Sequence, residues 1–175
     1  MKIEVEVRSF ISEQKYNELL DFFKGLNLPF TEDFQETYYF DERGDLRIYK
    51  TNKHSLVLFK KGKLHDFSRE EIEAKFKRED FEKLEKIFTA AGYGVKVKWI
   101  RKRIEFKWEN INICLDNTKG YGHIIELEIM SNEENKEKNL EILKQKLQEL
   151  NIPLTPREEF DKKYDFYLKN WQNLI

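Results

Sequence analysis

Two short segments near opposite ends of the chain alternate carboxylates with branched aliphatics: Ile3-Glu4-Val5-Glu6-Val7-Arg8 and Ile124-Ile125-Glu126-Leu127-Glu128-Ile129. Successive side chains of a strand point to opposite faces, so each segment reads as a β-strand with one acidic and one aliphatic face. If the two strands are neighbours, four carboxylates converge on one small volume, where like charges repel and something positive must sit between them. A divalent metal is the usual answer.

The chain has 175 residues, enough for a single domain spanning 1–175 with a core that folds unaided. Thirty-two Lys and Arg against 33 Asp and Glu leave a net charge of −1, which gives no overall pull toward nucleic acid or a membrane surface. Cys114 is the only cysteine, so an internal disulfide and a C-x-x-C zinc site are both excluded. His54, His65 and His123 lack metal-ligand spacing. No apolar run approaches about 18 residues and no basic-then-apolar leader opens the chain, so the expected location is the cytoplasm.

Between the acidic segments the periodicity switches between strand and helix without a linker or repeat. Ser12 as N-cap, the stripe Tyr16, Leu19, Leu20 and Phe23, and Gly25 as a stop predict a helix over 13–24. Strands are expected over 36–40, 46–51, 55–61 and 67–75, joined by turns such as Glu42-Arg43-Gly44-Asp45. A second helix carries Phe81, Leu84, Ile87, Phe88 and Ala91, and strands resume over 95–108, 111–116 and 121–130. Ser131 with Glu134 reads as a capping box opening a third helix, and Thr155-Pro156 followed by Glu158 opens a fourth. About eight strands and four helices result, with short connections favouring antiparallel neighbours.

Several of these strands repeat charge of mixed sign at same-face positions: Arg69, Glu71 and Glu73; Arg101, Arg103 and Glu105; Arg47 with Tyr49; and Lys60 at the end of a run with Leu56 and Leu58. For any one strand, a solvated face laced with ion pairs explains the pattern better. Five strands together favour a sheet curled into a barrel with its charged face inward and its aliphatic face under the helices. Gly120-Tyr121-Gly122 enters a strand rather than a helix and is no nucleotide-binding loop. The basic run 96–103, interleaved with Trp99, suits alternate cations on the two faces of a strand better than RNA contact.

Here the residues resemble a family. Glu4-x-Glu6-x-Arg8 resembles the N-terminal Glu-x-Glu-x-Lys signature of the CYTH superfamily, the triphosphate tunnel metalloenzymes, which include class IV adenylate cyclases, thiamine triphosphatases and inorganic triphosphatases. Asp116, a Gly-containing loop and Glu126-x-Glu128 are similar to the family's second acidic block, and Arg47, Lys60, Arg69 and Arg101-x-Arg103 fall in the expected order between. The resemblance implies an α+β fold, a closed, mainly antiparallel eight-stranded β-barrel forming a tunnel, with helices packed outside. It implies Mg²⁺ or Mn²⁺ held by Glu4, Glu6, Asp116, Glu126 and Glu128, the two Glu-x-Glu pairs being catalytic. Arg8, Arg47, Lys60, Arg69, Arg101, Arg103 and Lys163 would bind a small-molecule triphosphate. The implied activity is metal-dependent hydrolysis of a linear triphosphate. The alternatives are cyclisation of ATP to cyclic AMP and pyrophosphate, and triphosphate or polyanion binding without catalysis. No membrane or nucleic-acid partner is expected, and the chain would act as a monomer or homodimer. Two positions depart from the pattern: Arg8 replaces the signature Lys with a planar fork, and Tyr49 stands where many members carry a second Arg.

Overall fold

All described strands join one antiparallel sheet. The computed structural model describes residues 3–40, 44–62 and 67–175, with Ser68 and Arg69 by their backbone alone. The strands are β1 Ile3–Ile11, β2 Phe30–Phe40, β3 Asp45–Lys50, β4 His54–Lys60, β5 Ser68–Arg69, β6 Glu71–Lys77, β7 Val95–Trp108, β8 Ile111–Thr118 and β9 Gly122–Ser131. The helices are α1 Glu13–Gly25, α2 Phe81–Ala90, α3 Lys136–Glu149 and α4 Arg157–Leu174. None of the described helices is long and apolar enough to cross a membrane.

The spatial order is β5-β1-β9-β8-β7-β2-β3-β4-β6. Its two ends, β5 and β6, are separated in the chain by Glu70 alone. The 68–77 segment therefore pairs with β1 at one end, Glu4 opposite Arg69, and with β4 at the other, Lys60 opposite Glu71. At the crossover the Glu70 carbonyl accepts the Lys61 N–H and the Phe67 carbonyl accepts the Glu6 N–H, each at 2.9 Å. Counted as one bent strand, this segment closes the sheet into the expected eight-stranded barrel.

Alternation then sorts the side chains. Val5 and Val7, Ile113 and Leu115, and Ile125 and Leu127 face outward into a core built with Leu19 and Phe23 of α1 and Leu143 and Leu147 of α3. A second cluster sets Tyr38, Phe40 and Ile48 against Phe81 and Leu84 of α2. The fourth helix differs. Phe160 and Tyr167 pack on Val97, Tyr121 and Ile124, with Phe10 and Trp99 beside them. Phe10, Val97, Trp99 and Ile124 share the strand faces that carry the charged residues, so α4 lies over the inner side of the barrel.

Local details explain where the boundaries fall. Ser12 caps α1 as expected, accepting the Lys15 N–H at 3.1 Å. Ser131 caps nothing: it ends β9, and the Asn132 side chain accepts the Asn135 N–H at 3.0 Å to turn the chain into α3. Thr155 is likewise drawn away from the helix, its hydroxyl accepting the Phe10 N–H at 2.9 Å while its own N–H donates to Ser9 at 3.0 Å. The two bonds moor the start of α4 to β1. Strand β2 begins six residues earlier than its pattern predicts, because β7 pairs with it from Phe30↔Phe106 onward and supplies backbone partners that the polar sequence does not advertise. Gly120, at φ +71, lies against the end of α4, where a Cβ would meet the Leu174 Cβ at 2.5 Å.

Candidate active site

The inward faces enclose a cavity of about 240 Å³. Register sets its acidic side: Glu6 lies opposite Glu128 and Arg8 opposite Glu126 across β1 and β9, while β8 brings Asp116 beside Arg103 of β7. The two Glu-x-Glu segments are thus neighbours, as their sequence pattern requires.

The five acids divide into two groups. Glu4, Glu6 and Glu128 each offer a carboxylate oxygen within 4.8 Å of the others, a hard-oxygen set that fits Mg²⁺ or Mn²⁺. Asp116 and Glu126 are held by arginine instead. Arg103 grips Asp116 through two bonds of 2.7 Å and approaches Glu126 at 3.3 Å, and Arg101 adds a bond to Asp116 at 2.9 Å. Arg103 also comes within 3.7 Å of Glu128, linking the groups.

Electrostatics follows this division. Burial pushes Glu4 up to about 7, with Lys60 opposing and Glu6, Glu71 and Glu126 adding to the rise. Burial also raises Glu128 well above the carboxylate range, reinforced by the Glu126 charge and by the hydrogen bond between the two. Burial acts in the same direction on Glu126, yet Arg103 and Arg8 outweigh it and hold that carboxyl well below its usual value. Burial and the Glu126 charge thus favour the protonated form of Glu128, while the arginines favour the ionised form of Glu126. Carboxylates crowded enough to retain protons are the ones a divalent cation would relieve.

The cations are fixed by partners. Arg47 of β3 is held by both Asp45 oxygens, at 2.6 and 2.5 Å, and donates to the Tyr39 hydroxyl at 3.1 Å. Lys60 meets Glu4 at 3.2 Å and pairs with Glu71. Arg8 pairs with Glu6 and lies 5.8 Å above the Phe160 ring. Arg101 is oriented by Gln35, which accepts its Nε–H at 2.6 Å.

Arg8, Arg47, Lys60, Arg101 and Arg103 all line the cavity with the five acids. Arg69 places its backbone opposite Glu4, and its side chain lies outside the described residues, as does His65. Lys163 sits over the Phe10 ring at 4.1 Å and the Tyr121 ring at 5.4 Å, where burial lowers its pKa. Among the described residues it is not one of those lining the cavity. Tyr49, the departure from the family pattern, does line it, its hydroxyl kept neutral by burial against the opposing pull of Arg101 and Arg103. His123 packs on the Tyr16 ring of α1 at 4.8 Å, on the face of β9 opposite the charges.

Sequence reasoning missed the aromatic wall. Trp99, Tyr121, Phe160, Tyr164 and Tyr39 line the cavity beneath α4, with Trp99 and Tyr121 at 4.4 Å between centroids and Phe10 stacked on Phe160 at 4.2 Å. Strand parity was an available signal: Trp99 precedes Arg101 by two residues and Tyr39 lies opposite Arg47, so both share the charged face. For Phe160 and Tyr164 no such signal exists, because only the docking of α4 brings them in.

Comparison with known proteins agrees with this architecture. A protein of Methanocaldococcus jannaschii named "Putative adenylate cyclase MJ0240" is 36% identical over 165 residues, covering 86% of this chain and 90% of its own. Among solved structures, the PH1012 protein of Pyrococcus horikoshii superposes with a TM-score of 0.75 at 20% identity, covering 86% of this chain and 91% of its own. The Hippeastrum protein HpAC1, described as a "Putative adenylyl cyclase" that "reveals a dominant" triphosphatase activity, superposes with a TM-score of 0.66 at 19% identity, covering 94% and 96%. The model of the CYTH domain matches residues 2–164. With that match spanning nearly the whole chain, the chain belongs to the CYTH domain family.

Proposed function

We propose that this protein is a divalent-metal-dependent hydrolase of linear triphosphates, with an organic triphosphate as the preferred substrate. The observation that carries the reading is the division of the cavity: Glu4, Glu6 and Glu128 form an oxygen cluster, and five fixed cations surround the remaining space. A triphosphate needs several Arg and Lys contacts, and carboxylates in the same cavity would repel it unless they hold a metal. Held by Glu4, Glu6 and Glu128, Mg²⁺ or Mn²⁺ would polarise a phosphoryl oxygen and orient the attacking oxygen.

The protein's own groups supply the rest. Arg47 and Arg101 present guanidinium planes fixed by Asp45 and Gln35, which suits them to hold phosphate oxygens in one geometry. Arg103 holds Asp116 and Glu126 in place, so its contribution to binding is positional as well as electrostatic. Arg8 and Lys60 bring charge to the oxygens of the transferred group, where it stabilises an in-line displacement. The aromatic wall supports an organic substituent on the triphosphate, since a planar ring stacks there without needing charge.

A second reading, cyclisation of ATP by its own ribose hydroxyl, is favoured by the name of the 36% identical M. jannaschii relative. One experiment separates the two. Purified protein is incubated with ATP or tripolyphosphate and Mg²⁺ or Mn²⁺, and the products are resolved. Orthophosphate release supports hydrolysis, and cyclic AMP with pyrophosphate supports cyclisation. Retained binding with no turnover of either substrate overturns the enzymatic reading.

A further inference from the structure

We infer that two copies of this chain associate through β6, edge to edge, as an antiparallel pair centred on Ala74. Strand β6 reads Glu71-Ile72-Glu73-Ala74-Lys75-Phe76-Lys77 and pairs with β4 along one side. Among the described residues no strand pairs with its other side. It thus presents backbone donors and acceptors in the form that recruits another strand.

The sequence of this edge is complementary to itself. Turned antiparallel about Ala74, the strand sets Glu71 opposite Lys77, Ile72 opposite Phe76, Glu73 opposite Lys75, and Ala74 opposite Ala74. Every charge meets its opposite and every apolar residue meets an apolar one. A two-fold contact demands this, because each pairing is repeated with the copies exchanged. Opposite-charge and aromatic–aliphatic pairs across neighbouring strands are the stabilising ones. The small residue falls on the axis, where the two chains approach most closely.

The side chains are also free to meet. Residues 72–77 are all exposed, with Ile72 at 53% and Phe76 at 39% of their surface. Ile72 and Phe76 lie on the outer face, opposite Phe59 and Ser55 of β4, and α2 packs on a different part of the sheet, over Tyr38, Phe40 and Ile48. Glu73, Lys75 and Lys77 form no ion pair with any described residue, in contrast to Glu71, which pairs with Lys60. Exposed edges ordinarily carry charged side chains, a bulge or a proline that discourage partners. This one has neither proline nor an irregularity in its register with β4, and its charges are of both signs, arranged to attract a second copy.

The test uses the intact protein and exposed positions of β6 and reads association rather than activity, because Glu73 also borders the cavity. Sedimentation velocity over a dilution series should show a concentration-dependent dimer. Lys75→Glu, which sets a new carboxylate against Glu73 twice across the axis, should weaken it by about tenfold or more. Adding Glu73→Lys to Lys75→Glu restores opposite charges across the axis and should recover the dimer. Under mild oxidation Ala74→Cys should form a disulfide-linked dimer while Ile72→Cys does not, because only the residue on the axis faces its own copy. The native Cys114 is buried and stays silent. A wild-type chain that remains monomeric throughout, a dimer indifferent to Lys75→Glu, or crosslinking that is equal at the two cysteines would overturn the inference.

Discussion

Replacing Glu4 by Gln should make the metal-free protein more stable while removing its response to metal. The Glu4 carboxyl is displaced from 4.5 to about 7 by burial first, against Lys60, with Glu6, Glu71 and Glu126 adding to the rise. Because the folded state holds this proton more tightly than the unfolded chain, its contribution to stability is fully present below pH 4.5 and is lost as pH rises through about 7. Keeping Glu4 ionised at about pH 8 then costs the fold on the order of 3 kcal/mol. Gln keeps the shape of the side chain and an oxygen for Lys60, now at 3.2 Å, without the charge. At this chain length about 3 kcal/mol corresponds to roughly 6–12 °C in melting temperature.

Thermal unfolding of wild type and Glu4→Gln in a chelator, at about pH 5 and about pH 8, reads the effect directly. The variant should exceed wild type at the higher pH and match it at the lower, where the wild-type carboxyl is already protonated. Saturating Mn²⁺ should reverse the order at the higher pH, since a ligand that binds only the folded state raises its stability and Glu4→Gln removes the charge of one of the three converging carboxylates. An equal difference at both pH values, or a variant that melts below wild type in chelator at the higher one, refutes the electrostatic account.

Arg103→Met should be the more damaging change, because it strips the two-bond clamp from buried Asp116 and Glu126 and leaves them only Arg101 and Arg8 as positive neighbours. A loss of about 3–5 kcal/mol is expected from chemical denaturation, with a native-like fold at low denaturant. Trp99→Leu, which retains bulk beside Tyr121 but removes the stacking surface, should raise KM for ATP by about tenfold and leave KM for tripolyphosphate unchanged. Equal changes for the two substrates in steady-state assays would detach the aromatic wall from substrate recognition.

The parts legible in the sequence were those that alternation alone determines. Glu4, Glu6, Glu126 and Glu128 share a face because each pair is separated by one residue, and Arg101 and Arg103 follow by the same rule. The barrel was legible because several strands repeat that pattern while their other faces match the apolar stripes of α1, α2 and α3. What stayed hidden depends on pairing across long sequence distances. Asp116 reads as a residue before a turn, yet β8 continues to Thr118, and its place opposite Arg103 turns it from an open ligand into a clamped one. The Thr155 cap failed for a related reason: Thr155 carries the right side chain for a cap, but Phe10 lies 145 residues away and offers it a better-placed N–H. The same contact moors the start of α4, the helix that brings Phe160 and Tyr164 to the aromatic wall.

The charge balance of the cavity leads to a last prediction. Among the described residues, those lining it include seven carboxylates, Glu71 and Glu73 besides the five already discussed, and five cations. The formal excess is two negative charges. The metal-free fold answers it with protons, and the two carboxyls raised most clearly, Glu4 and Glu128, are both members of the converging cluster. A divalent ion supplies the same charge in one step, so its entry must displace what the protons were doing. Calorimetric titration of Mn²⁺ near pH 6, repeated in buffers of different ionisation enthalpy, should therefore report net proton release, with Glu4 as one source. Over the range below about 7 the apparent affinity should rise by about tenfold per pH unit for each proton displaced. Above that range Glu4 has already ionised, and its share of the release disappears. Metal binding with no proton release at either pH would mean that these carboxyls are not the ligands, whatever their proximity.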